Sequence, residues 1–199
     1  TVHVKYGEAQ ALLAGDALQA LAFEFLTPQD GSTDLSVQAV QVGLLARASG
    51  YQGMAGGQAI DLASVGVPLT EAQLRQMHKL KTGALLLCSV QMGAVCLGKP
   101  SQVVWDAFTR YAEALGLAFQ VVDDILDVTS DSATLGKTAG KDAAADKPTY
   151  VSLLGLTQAQ QLAEKLYADS LAALDASGLN TTATAALRAL ASLVVQRKN

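Results

Sequence analysis

Apolar residues recur every three to four positions along almost the whole chain, which is the spacing of one face of an α-helix. Thr70 and Gln73, and again Thr157 and Gln160, have the spacing of a capping box and predict where two helices begin. The polar segment at residues 27–33, TPQDGST, predicts a loop. Six segments carry the helical repeat: residues 8–26, 34–54 (with an extension to residue 62), 70–97, 101–128, 157–176 and 182–196.

The sequence shows neither the two-residue alternation of a β-strand nor an internal repeat. Half of the residues are hydrophobic and only 5% are aromatic, with Leu and Ala dominant, and this composition favours helices over strands. A chain of 199 residues is long enough for one domain with a substantial core. The sequence therefore predicts a single all-α domain with long central helices.

Charge and cysteine usage narrow the class of protein. The formal net charge is −4, whereas nucleic-acid binders usually have a basic face, so we expect no nucleic-acid partner. Cys88 and Cys96 would lie about 12 Å apart along one helix, too far for a disulfide, and no secretory signal is visible, so we expect a reducing, cytoplasmic location. The charge-free run at residues 82–98 is about one turn shorter than a membrane span and contains Ser89 and Gln91, so it predicts a core helix and no membrane span.

The motif DDILD places three aspartates directly after an uncharged apolar segment. On a helix, Asp123 and Asp127 share one face with Gln120, and Asp124 is rotated from Asp123 by about 100°. Like charges so placed repel each other, and a divalent cation such as Mg²⁺, which binds carboxylate oxygens, would offset the repulsion. A solvated acidic face is the alternative, but the apolar sequence GLAFQVV just before the motif argues against it.

Two further polar pairs lie beside apolar helices. Lys81 and Thr82, in HKLKTG, are suited to a phosphate, with the lysine as a point charge and the hydroxyl as a donor. The alternative is a lysine that snorkels from the edge of a core helix. In GMAGGQAIDL the glycines indicate a kink or close helix packing, and Gln58 and Asp61 share one face. Their simplest interpretation is a buried polar pair in which each satisfies the other.

A lysine-bearing segment, LGKTAGKDAAADKPTY, follows the acidic motif. Lys137, Lys141 and Lys147 in this segment would form a basic lid over an anion. An ordinary exposed loop is the alternative interpretation.

Taken together, KTG, GGQAIDL, FQVVDDILD, LGKTAGKD and KPTY resemble the trans-polyprenyl diphosphate synthase family, and within it the bacterial farnesyl diphosphate synthases (geranyltranstransferases). The resemblance spans essentially the whole chain and corresponds to the C-terminal two-thirds of a family member. It implies an isoprenoid-synthase-type bundle of long, mostly antiparallel helices around a central cavity. It also implies a homodimer.

The resemblance further implies an activity and a set of site residues. A family member condenses isopentenyl diphosphate with an allylic diphosphate (dimethylallyl or geranyl) by ionisation, condensation and proton loss, which here would give farnesyl diphosphate. The implied cofactor is Mg²⁺, with Mn²⁺ as an alternative cation. Asp123 would bind the metal, and Asp124 and Asp127 would support it directly or through water. Seven further residues would complete the site: Lys81 and Lys137 for the allylic diphosphate, Thr82 and Gln120 beside the carbocation, Lys147 in a closing loop, and Gln58 and Asp61 behind them.

One departure from the family is large. The family's first aspartate-rich motif, its arginine pair and its isopentenyl-diphosphate residues would all precede Thr1. Residues 1–199 are therefore expected to form a single polyprenyl-synthase domain that lacks its N-terminal part. We expect this chain alone to be inactive, and we expect residues before it to set the product length.

Two alternative functions remain within the same fold. A terpene cyclase also uses an aspartate-rich Mg²⁺ site, but it would normally carry more aromatic residues than the 5% found here. The other alternative is not catalytic: a subunit of a heteromeric prenyl synthase, or a plain helical interaction domain. The intact DDILD motif argues against a plain interaction domain.

Overall fold

The computed structural model describes residues 1–96, 98–129 and 148–197, and these residues form helices and no strand, which confirms the predicted all-α class. Contacts divide the chain into two compact units, Thr1–Leu44 and Leu45–Asn199. The helical elements are α1 (Val2–Tyr6), α2 (Glu8–Leu26), α3 (Leu35–Ser49), α4 (Met54–Ala63), α5 (Glu71–His78), a π-helical turn (Lys79–Gly83), α6 (Ala84–Val95), α7 (Gln102–Thr129), α8 (Tyr150–Leu154), α9 (Leu156–Asp175) and α10 (Ala185–Gln196).

The first unit contains α1, α2 and the beginning of α3, and α1 packs against α2. Helix α2 has the predicted bounds, and Gly15 lies inside it without interrupting it. None of its residues is buried, and Leu12 and Phe25 are among its exposed side chains. Leu12 and Phe25 therefore expose apolar surface within the part of the chain that the structure describes.

The predicted second helix is too long. Helix α3 ends at Ser49 and α4 begins at Met54, so a turn replaces the continuous helix expected there. Gly53 is the physical reason, because a Cβ built on it would lie only 2.1 Å from the carbonyl oxygen of Ala48. Only glycine allows the backbone to fold back that closely.

The predicted start of the third helix is confirmed. The Thr70 hydroxyl accepts a hydrogen bond from the Gln73 amide at 3.3 Å, and the Gln73 side chain accepts one from the Thr70 amide at 2.9 Å. Helical structure then continues through α5, the π-helical turn and α6 to Val95. Most of α6 is half-buried rather than fully enclosed. No helix in the described ranges is long and apolar enough to cross a membrane.

Helices α7 and α9 form the main interface of the second unit. Ala118 of α7 and Ala159 and Ala163 of α9 are almost completely buried, and such small side chains let the two helix axes approach closely. About two turns before Ala118 in α7, the buried Tyr111 hydroxyl donates a hydrogen bond to the Leu187 carbonyl of α10 at 2.8 Å. Helix α7 is therefore held along its length before it reaches the DDILD motif.

The predicted capping box at Thr157 and Gln160 is wrong. Helix α9 begins at Leu156, before the predicted cap residue Thr157. It directly follows Gly155, whose φ of 81° is readily adopted by glycine. A capping box occurs instead at α8, where Thr149 and Ser152 each accept a hydrogen bond from the other's backbone amide at 3.0 Å.

Candidate active site

The KTG sequence lies in the π-helical turn, Lys79–Gly83, a type of widened turn that is frequent at functional sites. Two glycines from other helices pack directly on its backbone. A Cβ on Gly57 of α4 would lie 2.1 Å from the backbone nitrogen of Lys81, and one on Gly116 of α7 would lie 3.3 Å from the Cα of Gly83. The close helix packing predicted from the glycines of GMAGGQ is thus present at Gly57, and it surrounds this turn.

Lys81 is held by an ion pair with α4. Its Nζ atom lies 2.7 Å from Oδ2 of Asp61, and the side chains are 31% and 12% exposed respectively. Gln58 lies one turn earlier in α4 and is half-buried. Its predicted pairing with Asp61 stays a prediction, whereas the ion pair between Asp61 and Lys81 is present. The Asp61 carboxylate therefore orients the Lys81 ammonium group.

A hydrogen bond connects this turn to the DDILD helix. The Thr82 hydroxyl donates to Oε1 of Gln120 at 3.2 Å, across 38 residues of sequence. Gln120 lies one helical turn before Asp123 on α7, so the bond places the Lys81–Thr82 pair beside the acidic motif. Four of the predicted site residues are therefore brought into one region.

The three aspartates of DDILD differ in their surroundings. The Asp123 side chain is 40% exposed, whereas the residues Asp124 and Asp127 are 6% and 5% exposed. Among the described residues, no three His, Cys, Asp or Glu side chains converge as a metal-binding group. Mg²⁺ usually takes only one or two carboxylates, with waters and substrate phosphates as its other ligands, so the accessible Asp123 carboxylate fits that cation.

Asp124 makes a contact that links α7 to α8. Its Oδ2 atom accepts a hydrogen bond from the backbone amide of Tyr150 at 2.7 Å, and the contact is buried. Tyr150 is the last residue of KPTY and the first residue of α8. Tyr150, at the end of KPTY, is thereby attached to the acidic motif.

Arg197, which no sequence motif indicated, lies beside Asp123. Its guanidinium donates to the Phe119 carbonyl at 2.8 Å, lies 4.0 Å from the centre of the Phe119 ring, and lies 3.6 Å from Oδ1 of Asp123. Burial lowers the pKa of Arg197, and the Asp123 charge acts in the opposite direction. The only sequence signal was a pair of basic residues near the end of the sequence, which has no helical spacing to connect it to DDILD.

His78, also missed from the sequence, lies immediately before the π-helical turn. Its ring stacks on the Tyr150 ring at a centroid distance of 5.7 Å, and neither ring nitrogen has a hydrogen-bond partner within the described part of the chain. Burial lowers the pKa of His78 below its ordinary value. The charges of Lys81, Asp61 and Asp123 also act on it. His78 is therefore a mainly neutral ring packed under the site.

A cavity of about 450 Å³ lies between α5, the π-helical turn, α6, α7 and α9. Its lining includes Lys79 and Glu113, which form an ion pair at 2.9 Å, but none of the predicted site residues. The cavity thus borders the π-helical turn at His78, Lys79 and Gly83 without reaching the Lys81 or Asp123 side chain. The remaining predicted lysines, Lys137, Lys141 and Lys147, fall outside the described residues.

The all-α fold, the widened KTG turn and the adjoining acidic motif define a prenyl-synthase type of protein. Residues 1–179 match the sequence profile of the family described as polyprenyl synthetase, and the chain belongs to this family. The resemblance found from the motifs is thereby confirmed.

Several relatives are closely similar over the whole chain. The chain is 43% identical to a farnesyl diphosphate synthase of Haemophilus influenzae over 100% of its own length, and 45% identical to that of Escherichia coli over 99%. It spans 66% of the length of each of these relatives. A solved geranyltransferase of Helicobacter pylori, described as complexed with magnesium and isoprenyl diphosphate, matches 98% of this chain and 62% of its own with a TM-score of 0.82 at 34% identity.

Proposed function

We propose that the protein condenses isopentenyl diphosphate with dimethylallyl or geranyl diphosphate to give farnesyl diphosphate. The observation that carries this proposal is the hydrogen bond from Thr82 to Gln120, because it places a lysine and an accessible aspartate on adjoining elements. A diphosphate leaving group needs both, a cation for its own charge and a carboxylate for the metal that accompanies it. Family membership and the names of the relatives give further support.

Lys81 is the residue we assign to the allylic diphosphate. An ammonium group has three N–H donors, and one is directed to Asp61. The others are suited to diphosphate oxygens. As the allylic C1–O bond breaks, the electron pair leaves with the diphosphate, and the lysine charge stabilises that developing negative charge. We assign Gln58 and Asp61 a supporting role behind Lys81, in which Asp61 accepts a hydrogen bond from the Lys81 ammonium group.

Thr82 and Gln120 are the residues we assign to the carbocation. The Thr82 proton is used in the bond to Gln120, so the oxygen lone pairs of these two groups remain to face positive charge. Such dipoles stabilise the cation without forming a covalent bond to it. The double bond of isopentenyl diphosphate then supplies the electron pair of the new C–C bond, and loss of a proton restores a double bond.

Asp123 is the metal ligand in this proposal, since its carboxylate is the most accessible of the three in DDILD. Bound Mg²⁺ would supply Lewis-acid stabilisation of the departing diphosphate. The predicted roles of Asp127, Lys137 and Lys147 stay predictions, as does Mn²⁺ as a replacement cation. The magnesium described in the Helicobacter pylori geranyltransferase structure supports the choice of cation.

Three further features rest on the sequence and on the resemblance. We propose that the protein is a cytoplasmic homodimer and that residues 1–199 belong to one polyprenyl-synthase domain. Farnesyl diphosphate is chosen as the product because the relatives with that name include identities of 43–49%, while a geranylgeranyl pyrophosphate synthase of Arabidopsis thaliana is 41% identical. Mass spectrometry of the products would decide chain length.

The test is an incubation of the full gene product with Mg²⁺, isopentenyl diphosphate and geranyl diphosphate, with products and released pyrophosphate quantified. We expect farnesyl diphosphate, and we expect no turnover with a chelator present. Asp123→Asn should lower kcat by orders of magnitude, because it removes charge stabilisation from the transition state. Asp169→Asn, at an exposed i,i+4 ion pair with Lys165, is the matched control and should keep wild-type turnover. Asp123→Asn with turnover within threefold of wild type would contradict the assignment.

A further inference from the structure

The second aspartate of DDILD has a different environment from the first. Asp124 is 6% exposed and its Oδ2 atom accepts the buried Tyr150 amide at 2.7 Å, whereas the Asp123 side chain is 40% exposed. If a metal ion bound to the same Asp124 oxygen in place of this amide, a buried N–H group would lose its acceptor. Such groups are rarely left without a partner in folded proteins.

The residue that Asp124 holds is itself fixed from several sides. The Tyr150 side chain is completely buried among Leu74, Met77 and other core residues, and its ring stacks on His78. The preceding residue, Thr149, is the N-cap of α8 and is tied into the capping box described above. Tyr150 is therefore a rigid point, and the Asp124 hydrogen bond fastens α7 to it.

The neighbour of Asp124 along α7 is the proposed metal ligand. A helical backbone that is fixed at Asp124 also fixes the direction in which the Asp123 side chain leaves it, because adjacent residues on a helix differ by a constant rotation of about 100°. The Asp124–Tyr150 bond thus fixes this part of α7, and with it the backbone from which the Asp123 side chain extends, relative to α8.

We propose that Asp124 is a positioning residue, which acts as a hydrogen-bond acceptor for Tyr150 and orients Asp123, and that it is not a metal ligand. This inference rests on the proposed function. It revises the assignment by resemblance, in which Asp124 supports the metal directly or through water. An acceptor role requires an oxygen at this position but no negative charge, so asparagine should replace Asp124 and alanine should not.

The experiment compares Asp124→Asn, Asp124→Ala and Asp123→Asn in the full gene product. Binding of Mn²⁺ in the presence of inorganic pyrophosphate, followed by electron paramagnetic resonance, reports the metal site without turnover. We expect Asp124→Asn to keep the Mn²⁺ stoichiometry and an affinity within threefold of wild type, and to keep kcat within tenfold. Asp123→Asn should lose at least tenfold in Mn²⁺ affinity. A loss of a Mn²⁺ ion, or of tenfold or more in affinity, in Asp124→Asn would overturn the inference.

Hydrogen exchange at the Tyr150 amide gives a second, independent measurement. In the wild-type protein this amide should be protected, in Asp124→Asn it should stay protected, and in Asp124→Ala it should exchange at least tenfold faster. An unprotected amide in the wild-type protein would refute the inference even if the variants failed to fold. If the wild-type protein made no prenyl product, the proposed function would fail, whereas the exchange pattern would still report the hydrogen bond by itself.

Discussion

Gly57 offers a direct test of how closely α4 packs on the KTG turn. In Gly57→Ala, the added Cβ would lie 2.1 Å from the Lys81 backbone nitrogen and 2.5 Å from the Lys81 Cα. Ordinary contacts of a Cβ begin at about 3.4 Å, so α4 would have to move away by about 1.3 Å. The obstructing atoms belong to the backbone of a helical turn, and they cannot yield as the end of a flexible side chain would.

The size of the effect follows from two opposing contributions. Overpacking of this kind costs about 1–3 kcal/mol, and the rigid backbone favours the upper end. Alanine in place of glycine inside a helix raises the free energy of unfolding by about 1 kcal/mol. We therefore expect Gly57→Ala to lower the free energy of unfolding by about 2 kcal/mol. The same movement would lengthen the 2.7 Å contact between Asp61 and Lys81, because Asp61 lies one turn after Gly57 in α4.

The assay is urea unfolding, in which a loss of about 2 kcal/mol shifts the midpoint by about 1 M. Gly93→Ala is the matched control. Gly93 lies inside α6, and a Cβ built there meets nothing within 4 Å, so the same substitution should raise stability by up to about 1 kcal/mol. A Gly57→Ala protein as stable as wild type, or one that gains stability as Gly93→Ala should, would contradict the predicted clash with the Lys81 backbone.

Three further predictions concern single side chains. Lys81→Gln should raise KM for the allylic diphosphate by about 10–150-fold, because a charge-assisted hydrogen bond contributes about 1.5–3 kcal/mol. KM for isopentenyl diphosphate should change little. Lys165→Gln, at a side chain 72% exposed, should leave KM for both substrates unchanged. Burial lowers the pKa of His78 below its ordinary value of 6.5, so the unfolded state takes up a proton at higher pH than the folded state does. The free energy of unfolding should therefore fall as pH drops below about 6.5. His78→Phe should remove this dependence between pH 7.5 and 5.5, and His3→Gln, at an exposed position, should keep it. Tyr111→Phe should cost about 1 kcal/mol in urea unfolding through loss of its 2.8 Å hydrogen bond to α10, and an unchanged midpoint would contradict this.

The sequence by itself determined the features that depend on a few neighbouring residues. The bounds of α2, the capping box at Thr70 and the long helix α7 follow from helical periodicity and from side chains that bond within one turn. Two errors also have local causes that the pattern could not reveal. Gly53 allows a close turn where the apolar repeat continues, and Gly155 starts α9 before the expected cap.

The motifs indicated which residues carry the chemistry, but only the tertiary structure decided how they are paired. Lys81 forms an ion pair with Asp61, and Asp124 accepts a hydrogen bond from a backbone amide 26 residues away. Arg197 reaches Phe119 across 78 residues and lies beside Asp123. Sequence spacing predicts neighbours within one helix, whereas contacts between helices depend on how closely their backbones approach. At Gly57 and in the alanines between α7 and α9, that approach is set by side-chain volume in three dimensions.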